Sequence, residues 1–184
     1  MVETESLRCL QADMRAAYAC GAPGALVSGL VWLAASATSP AFSVTASIWV
    51  LLVGGMAIFP LSLLVCRIVG VSGKNSTGNP LGFLAMEGTA WLMVGIFISM
   101  ATLFTSTALF FPVMLLVIGS RYLTFQTIYG LRHYWFAGAA LCIAGFTATV
   151  LNFPSWVSAG LGGSIEIVLA AALFTWKQPS QNSA

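Results

Sequence analysis

Apolar positions gather into six long blocks, near residues 21–39, 44–66, 81–101, 106–127, 134–152 and 156–176. Each is close to the roughly 20 residues that carry a helix across the hydrocarbon layer of a bilayer. None alternates residue by residue as a barrel strand does. Lipid offers the backbone no hydrogen-bond partners, so each block predicts a membrane-spanning helix. The polar positions fall between the blocks, and Gly70 to Pro80 is the one long polar connection. Asn79 there suits the cap of the third span and Pro80 its first helical position. Ahead of the first block, Leu7, Leu10, Met14 and Tyr18 recur at helical spacing, with Glu5, Arg8, Asp13 and Arg15 elsewhere. That spacing predicts a short amphipathic helix lying on the inner membrane surface, broken by Gly21, Pro23 and Gly24. The fold class is therefore all-α, a polytopic bundle of six transmembrane helices with an N-terminal interfacial helix.

Composition agrees. Of 184 residues 59% are hydrophobic and 7% charged, with mean hydropathy +0.94, against about 25% charged in soluble domains. The charges also orient the chain. Arg8 and Arg15 precede the first span, Arg67 and Lys74 flank the second connection, Arg121 and Arg132 the fourth, and Lys177 follows the last span. The other three connections carry no Lys or Arg, so the positive-inside rule puts both termini in the cytoplasm. The expected organisation is a cytoplasmic, interfacial helix at 1–20, a six-helix membrane domain at 21–177 and a cytoplasmic tail at 178–184. Glu3, Glu5 and Asp13, with no basic region leading straight into an apolar core, argue against a cleavable signal peptide. The net charge of +2 excludes nucleic acid as a partner and supports modest contact with anionic headgroups. The expected partners are the bilayer, a small molecule or ion as candidate ligand, and a second copy of the chain as candidate oligomer partner.

No motif assigns a reaction. Gly73-Lys74 lacks the preceding glycine and the following Ser/Thr of a phosphate-binding loop, since Ile68 and Asn75 hold those places. Asn75-Ser76-Thr77 matches a glycosylation acceptor on the side predicted to be cytoplasmic. Cys9, Cys20, Cys66 and Cys142 form no C-x-x-C pair and read as small apolar fillers. No metal, cofactor or catalytic residue is called for. An internal echo is clearer: Phe59-Pro60-Leu61 returns 52 residues later as Phe111-Pro112-Val113, and Gly29-x-x-Trp32-Leu33 returns 59 residues later as Gly88-x-x-Trp91-Leu92. This suggests a helical-hairpin pseudo-repeat, with the last two spans as a divergent copy. Pro60 and Pro112 are then paired helix-break candidates, a known pointer to transport sites, although kinked membrane helices also occur without one.

The ionisable residues inside spans are the other candidates. Glu87 and Arg121 lie at roughly matching depths of neighbouring antiparallel spans, which predicts an intramembrane ion pair, structural or functional. Glu166 lies near the middle of the sixth span with no basic residue at its level, and is either neutral or faces a hydrated cavity. Tyr122, Gln126, Tyr129 and His133 would share one face of a continuous helix, as a pocket mouth or as part of an interfacial belt. Gly21, Gly24, Ser28, Gly138, Cys142, Gly160 and Gly163 permit close helix packing.

Asp13-Met14-Arg15, Gly21-Ala22-Pro23-Gly24, Ser28-Gly29-Leu30-Val31-Trp32, Gly54-Gly55-Met56, Asn79-Pro80-Leu81 and the run from Phe110 to Gly130 carry a resemblance. Over roughly residues 12–170 the chain resembles small bacterial six-span membrane proteins known as a domain of unknown function. The resemblance implies a bacterial inner-membrane location and no reaction. The functional expectation is a small-solute or ion transporter or ligand-binding bundle with Glu87, Arg121 and Glu166 as its ionisable core. An intramembrane enzyme on a lipid-like substrate, with Glu87 or His133 as acid/base, and a structural or accessory subunit are the alternatives.

Overall fold

Breakers and caps set the helix boundaries. A computed structural model of the protein describes the backbone of residues 2–176 and the side chains of residues 6–176. It contains α1 (Val2–Tyr18), α2 (Ala22–Ala41), α3 (Val44–Val69), α4 (Pro80–Ala101), α5 (Phe110–Tyr129), α6 (His133–Val150) and α7 (Ser155–Thr175). Lys177 and the tail at 178–184 lie outside the described residues. Among the described residues all regular structure is helical, and six helices are long and apolar enough to cross a membrane. Ser43 opens α3 by accepting the Ala46 N–H at 3.0 Å, and Gly70, at φ 83°, closes it. Asn79 opens α4 by accepting the Leu81 N–H at 3.0 Å. Pro80 follows at the first helical position, where a missing N–H costs nothing. The predicted break after α1 falls at Ala19, Cys20 and Gly21, all with positive φ (45°, 59° and 81°). Two of these are not glycine, a strained arrangement. It is held by the Tyr134 hydroxyl, which donates to the Cys20 carbonyl at 2.7 Å.

The centre of the bundle is α2, α5, α6 and α7. α2 packs along α7 and α3, α5 packs along α6 and α4, and α6 meets α7. Two glycine pairs set the closest approaches. A Cβ on Gly163 would lie 2.9 Å from the Gly29 carbonyl oxygen, and one on Gly29 3.1 Å from that of Gly163. Gly119 and Gly138 are related in the same way across α5 and α6, at 2.8 Å in both directions. Small residues let backbones approach in lipid, where packing rather than the hydrophobic effect joins helices. Trp32, Phe110, Phe111, Leu115 and Leu141 fill the space between these contacts.

α3 and α4 are peripheral, and Trp49, Met56, Phe59 and Ile68 on the one, with Met86, Trp91 and Phe97 on the other, stay exposed. Such faces suit lipid rather than water. The echoed segments consequently occupy unlike environments: Phe59 is 66% exposed and Phe111 0%, while Trp91 is 74% exposed and Trp32 2%. In the first hairpin the leading helix is central, and in the second the trailing one is. The prolines differ too. Pro60 lies inside α3, whereas Pro112 is the third residue of α5. In that first turn no intrahelical bond is lost, so Pro112 does not interrupt a helix.

Helix α1 buries Met14 and Ala17 against the bundle, while Leu7 remains exposed. Its side chains cap α5: Gln11 donates to the Thr127 carbonyl at 2.8 Å and Arg15 to that of Tyr129 at 2.6 Å. These are carbonyls that a helix end leaves unpaired. On its other side α1 holds the 70–79 loop. Asp13 accepts from the Ser76 hydroxyl at 2.6 Å, the Ser76 N–H at 3.0 Å and the Asn79 amide at 2.7 Å.

Candidate functional site

The close approach of α2 and α7 at Gly29 and Gly163 has a chemical consequence. Glu166, one turn beyond Gly162 and Gly163, is drawn into the interior and is 0% exposed. From α5 the Tyr122 hydroxyl donates to its Oε1 at 2.7 Å. From α2 the Ser28 hydroxyl adjoins the same carboxyl, yet Oε2 has no partner in hydrogen-bond geometry. Tyr122 packs edge-on to Tyr134 at 5.8 Å, and Tyr134 stacks on Tyr129 at 5.3 Å. An aromatic column thus runs from the buried acid to the strained turn between α1 and α2.

Arg121 follows from the register of Tyr122. One residue away on α5, it faces α4 instead of α7, and its charge is felt at Glu166. Its Nη2 donates to the Thr89 hydroxyl at 3.0 Å, and the guanidinium lies 5.1 Å from the centre of the Phe125 ring. Its Nε is buried without a partner. The ion pair expected between Glu87 and Arg121 is not formed; the two instead line one cavity of about 490 Å³ between α4 and α5. The expectation that no cation lies at the level of Glu166 is likewise corrected, since Arg121 adjoins the tyrosine that bonds it.

The polar-aromatic stripe divides. Helix α5 stops at Tyr129, Gly130 turns the chain at φ 66°, and His133 opens α6. Tyr122 and Tyr129 point inward and are buried. Gln126 lines a shallower cavity of about 370 Å³ with Arg132, Trp135 and Phe136. His133 has a buried Nδ1 with no partner. Among the described residues no three His, Cys, Asp or Glu side chains gather as metal ligands.

Ser28, Thr89 and Tyr134 were missed as site residues. Ser28 reads as a small packing residue and Tyr134 falls outside the polar-aromatic stripe, so only the helix register reveals them. A hydroxyl beside Gly29 in an otherwise apolar stretch is the one signal that pointed to Ser28.

Fold and site define a multi-pass helical bundle built around a buried acid that no cation bonds among the described residues. The chain belongs to a family of unknown function, DUF7010, whose model matches residues 7–176. No curated protein and no solved structure matches it.

Proposed function

We propose that the protein binds and moves a small solute or ion, with Glu166 as its proton-binding group and Glu87 and Arg121 on the ligand side. One observation carries the proposal: a fully buried carboxyl holds one oxygen against Tyr122 and leaves the other unpaired. Polar groups that merely brace helices in a bundle are normally paired. Here each protonation state has its own support. A carboxylate accepts from the Tyr122 hydroxyl, adjoins the Ser28 hydroxyl as a second donor and lies in the field of Arg121, whereas a protonated Oε2 would turn the Ser28 hydroxyl into its acceptor. The groups facing the acid are Ser28 from α2 and Tyr122 from α5, with Tyr134 of α6 behind Tyr122 and Arg121, turned towards α4, acting through its field alone. Both termini on the cytoplasmic side of a bacterial inner membrane complete the reading. Arg8, Arg15, Arg67, Lys74 and Arg132 support that orientation, as all lie towards the end of the bundle where α1 meets the 70–79 loop.

Reconstitution tests the proposal. Liposomes containing the purified protein and an internal pH indicator are exposed to gradients of amino acids, organic acids, sugars and monovalent cations. At least one solute is expected to drive proton movement, reduced about tenfold or more in Glu166→Gln with thermal unfolding preserved. Coupled flux unchanged in Glu166→Gln would remove the acid from the mechanism. No coupled flux with any solute would leave the accessory-subunit role as the better account.

A further inference from the structure

The groove between α4 and α5 holds two opposite charges that do not meet. Glu87 and Arg121 both line it, and among the described residues neither forms an ion pair. Arg121 uses Nη2 on Thr89 and leaves Nε buried and unpartnered. Gly88 lies against that nitrogen, and a Cβ there would be in ordinary contact with it at 3.9 Å. Charges within a span are costly unless paired or hydrated. Direct pairing would be the simple remedy, and the fold does not use it. An occupant carrying both signs, an anion for the guanidinium and a cation for the carboxylate, resolves both at once.

The walls say what else the occupant carries. Trp91 is 74% exposed and Ile98 55%, so the groove is apolar and opens sideways from the bundle towards lipid. A volume of about 490 Å³ lies in the range of small-ligand sites. It accommodates a headgroup and the first part of a chain, leaving the remaining tail in the bilayer. A planar guanidinium with free N–H groups matches phosphate oxygens in particular. Glu87, as a carboxylate, is matched both in charge and in hydrogen bonding by a cation that carries N–H, such as a primary ammonium.

We propose that this groove binds a zwitterionic phospholipid with a primary amine: phosphate at Arg121, ammonium at Glu87, and acyl chain along the Trp91–Ile98 side. The inference rests on the preceding section only in taking Glu87 and Arg121 as the ligand side, and it requires nothing of Glu166. A phosphocholine headgroup has no N–H for Glu87. A phosphoglycerol headgroup has no cation and offers Glu87 only neutral hydroxyls, which bond it more weakly than an ammonium does.

Native mass spectrometry of the detergent-purified protein provides the test. It is titrated with phosphatidylethanolamine, phosphatidylcholine and phosphatidylglycerol of identical acyl chains, and with glycerophosphoethanolamine as the headgroup alone. Phosphatidylethanolamine is expected to bind about tenfold or more tightly than the other two lipids, and the tailless headgroup weakly. Glu87→Gln and Arg121→Gln should each abolish the preference, and Glu166→Gln should leave it intact. Gly88→Leu, which fills the space beside Nε, gives a second route to the same loss should Arg121→Gln fail to fold. Equal affinity for the three lipids, or a preference that survives Glu87→Gln, would overturn the site. Headgroup binding as tight as that of the whole lipid would overturn the lipid as occupant. Since Glu166→Gln separates the two assays, loss of coupled flux and loss of lipid preference report on different proposals.

Discussion

Tyr122 supplies the one hydrogen bond in strict geometry that the Glu166 carboxyl receives among the described residues. Removing the phenol oxygen strands Oε1 in a packed interior, at a cost of about 1–3 kcal/mol for a buried polar group left unsatisfied. Tyr122→Phe should therefore lower the thermal stability of the purified protein. Glu166→Gln, which retains an acceptor oxygen, should change it far less. In a Glu166→Met background the same Tyr122→Phe change should cost close to nothing, because there is no carboxyl left to strand. Equal penalties in the two backgrounds would show that Tyr122 acts through its aromatic contacts and not through the acid. Glu166 itself was legible in the sequence, because an acid in the middle of an apolar block stands out whatever surrounds it. Its partners were not. Ser28 and Tyr122 meet it through the relative heights of α2, α5 and α7, and those heights come from packing that no single helix encodes. Arg121 was assigned to the depth of Glu87 by counting from span ends. Counting was good enough to place both in one cavity and too coarse to show that they stay apart.

Those helix heights are fixed where glycines meet. A methyl group on Gly138 would sit 2.8 Å from the Gly119 carbonyl oxygen and 3.0 Å from Leu123, so α5 and α6 must separate to admit it. Overpacking of this kind costs about 1–3 kcal/mol. Gly55 lies in the exposed part of α3, and a methyl there meets nothing within 4 Å. Replacing it gains up to about 1 kcal/mol of helix propensity. Gly138→Ala should consequently lower the unfolding temperature and Gly55→Ala leave it level or raise it, as read from thermal unfolding in one detergent. The reverse order would mean that the α5–α6 contact is looser than drawn. At this scale the sequence was most legible. Six apolar blocks became six helices with ends displaced by a few residues, since length and capping chemistry are local properties. The repeat was legible as sequence and misleading as structure. Phe59-Pro60 and Phe111-Pro112 share letters, but one faces outward and the other lines the core, because membership of the centre depends on which neighbours a helix finds.

At the scale of the whole molecule, α1 joins parts of the chain that the spans alone would leave independent. It caps the end of α5 through Gln11 and Arg15, and it holds the 70–79 loop through Asp13. The Asp13 carboxyl lies outside the spans. Its pKa is held below the ordinary value of 3.8, first by the Ser76 hydroxyl, then by the Asn79 amide and the Ser76 N–H, with burial opposing weakly. The sign follows from linkage: a carboxyl with a lowered folded pKa contributes stability that is fully present above its unfolded pKa. That stability is lost as pH falls through the lower, folded value. Because solvent reaches the carboxylate and can replace part of what it provides, the contribution is on the order of 1 kcal/mol. Asp13→Asn should accordingly unfold at a lower temperature than wild type, by the same margin at pH 7 and pH 5. Below pH 3.8 the two proteins should converge as wild-type Asp13 takes up its proton. The difference between the two chains is the quantity to follow, because other acids titrate in both and cancel. A margin that grew on acidification would mean that Asp13 is held in its protonated form, and that α1 grips the loop by another route. If the margin instead shrinks as expected, Asp13 in α1 and Ser76 and Asn79 at the far end of the loop act as one charged clasp. Helix α4, with Glu87 on it, is then positioned from its first residue by the helix that also caps α5, on which Arg121 lies.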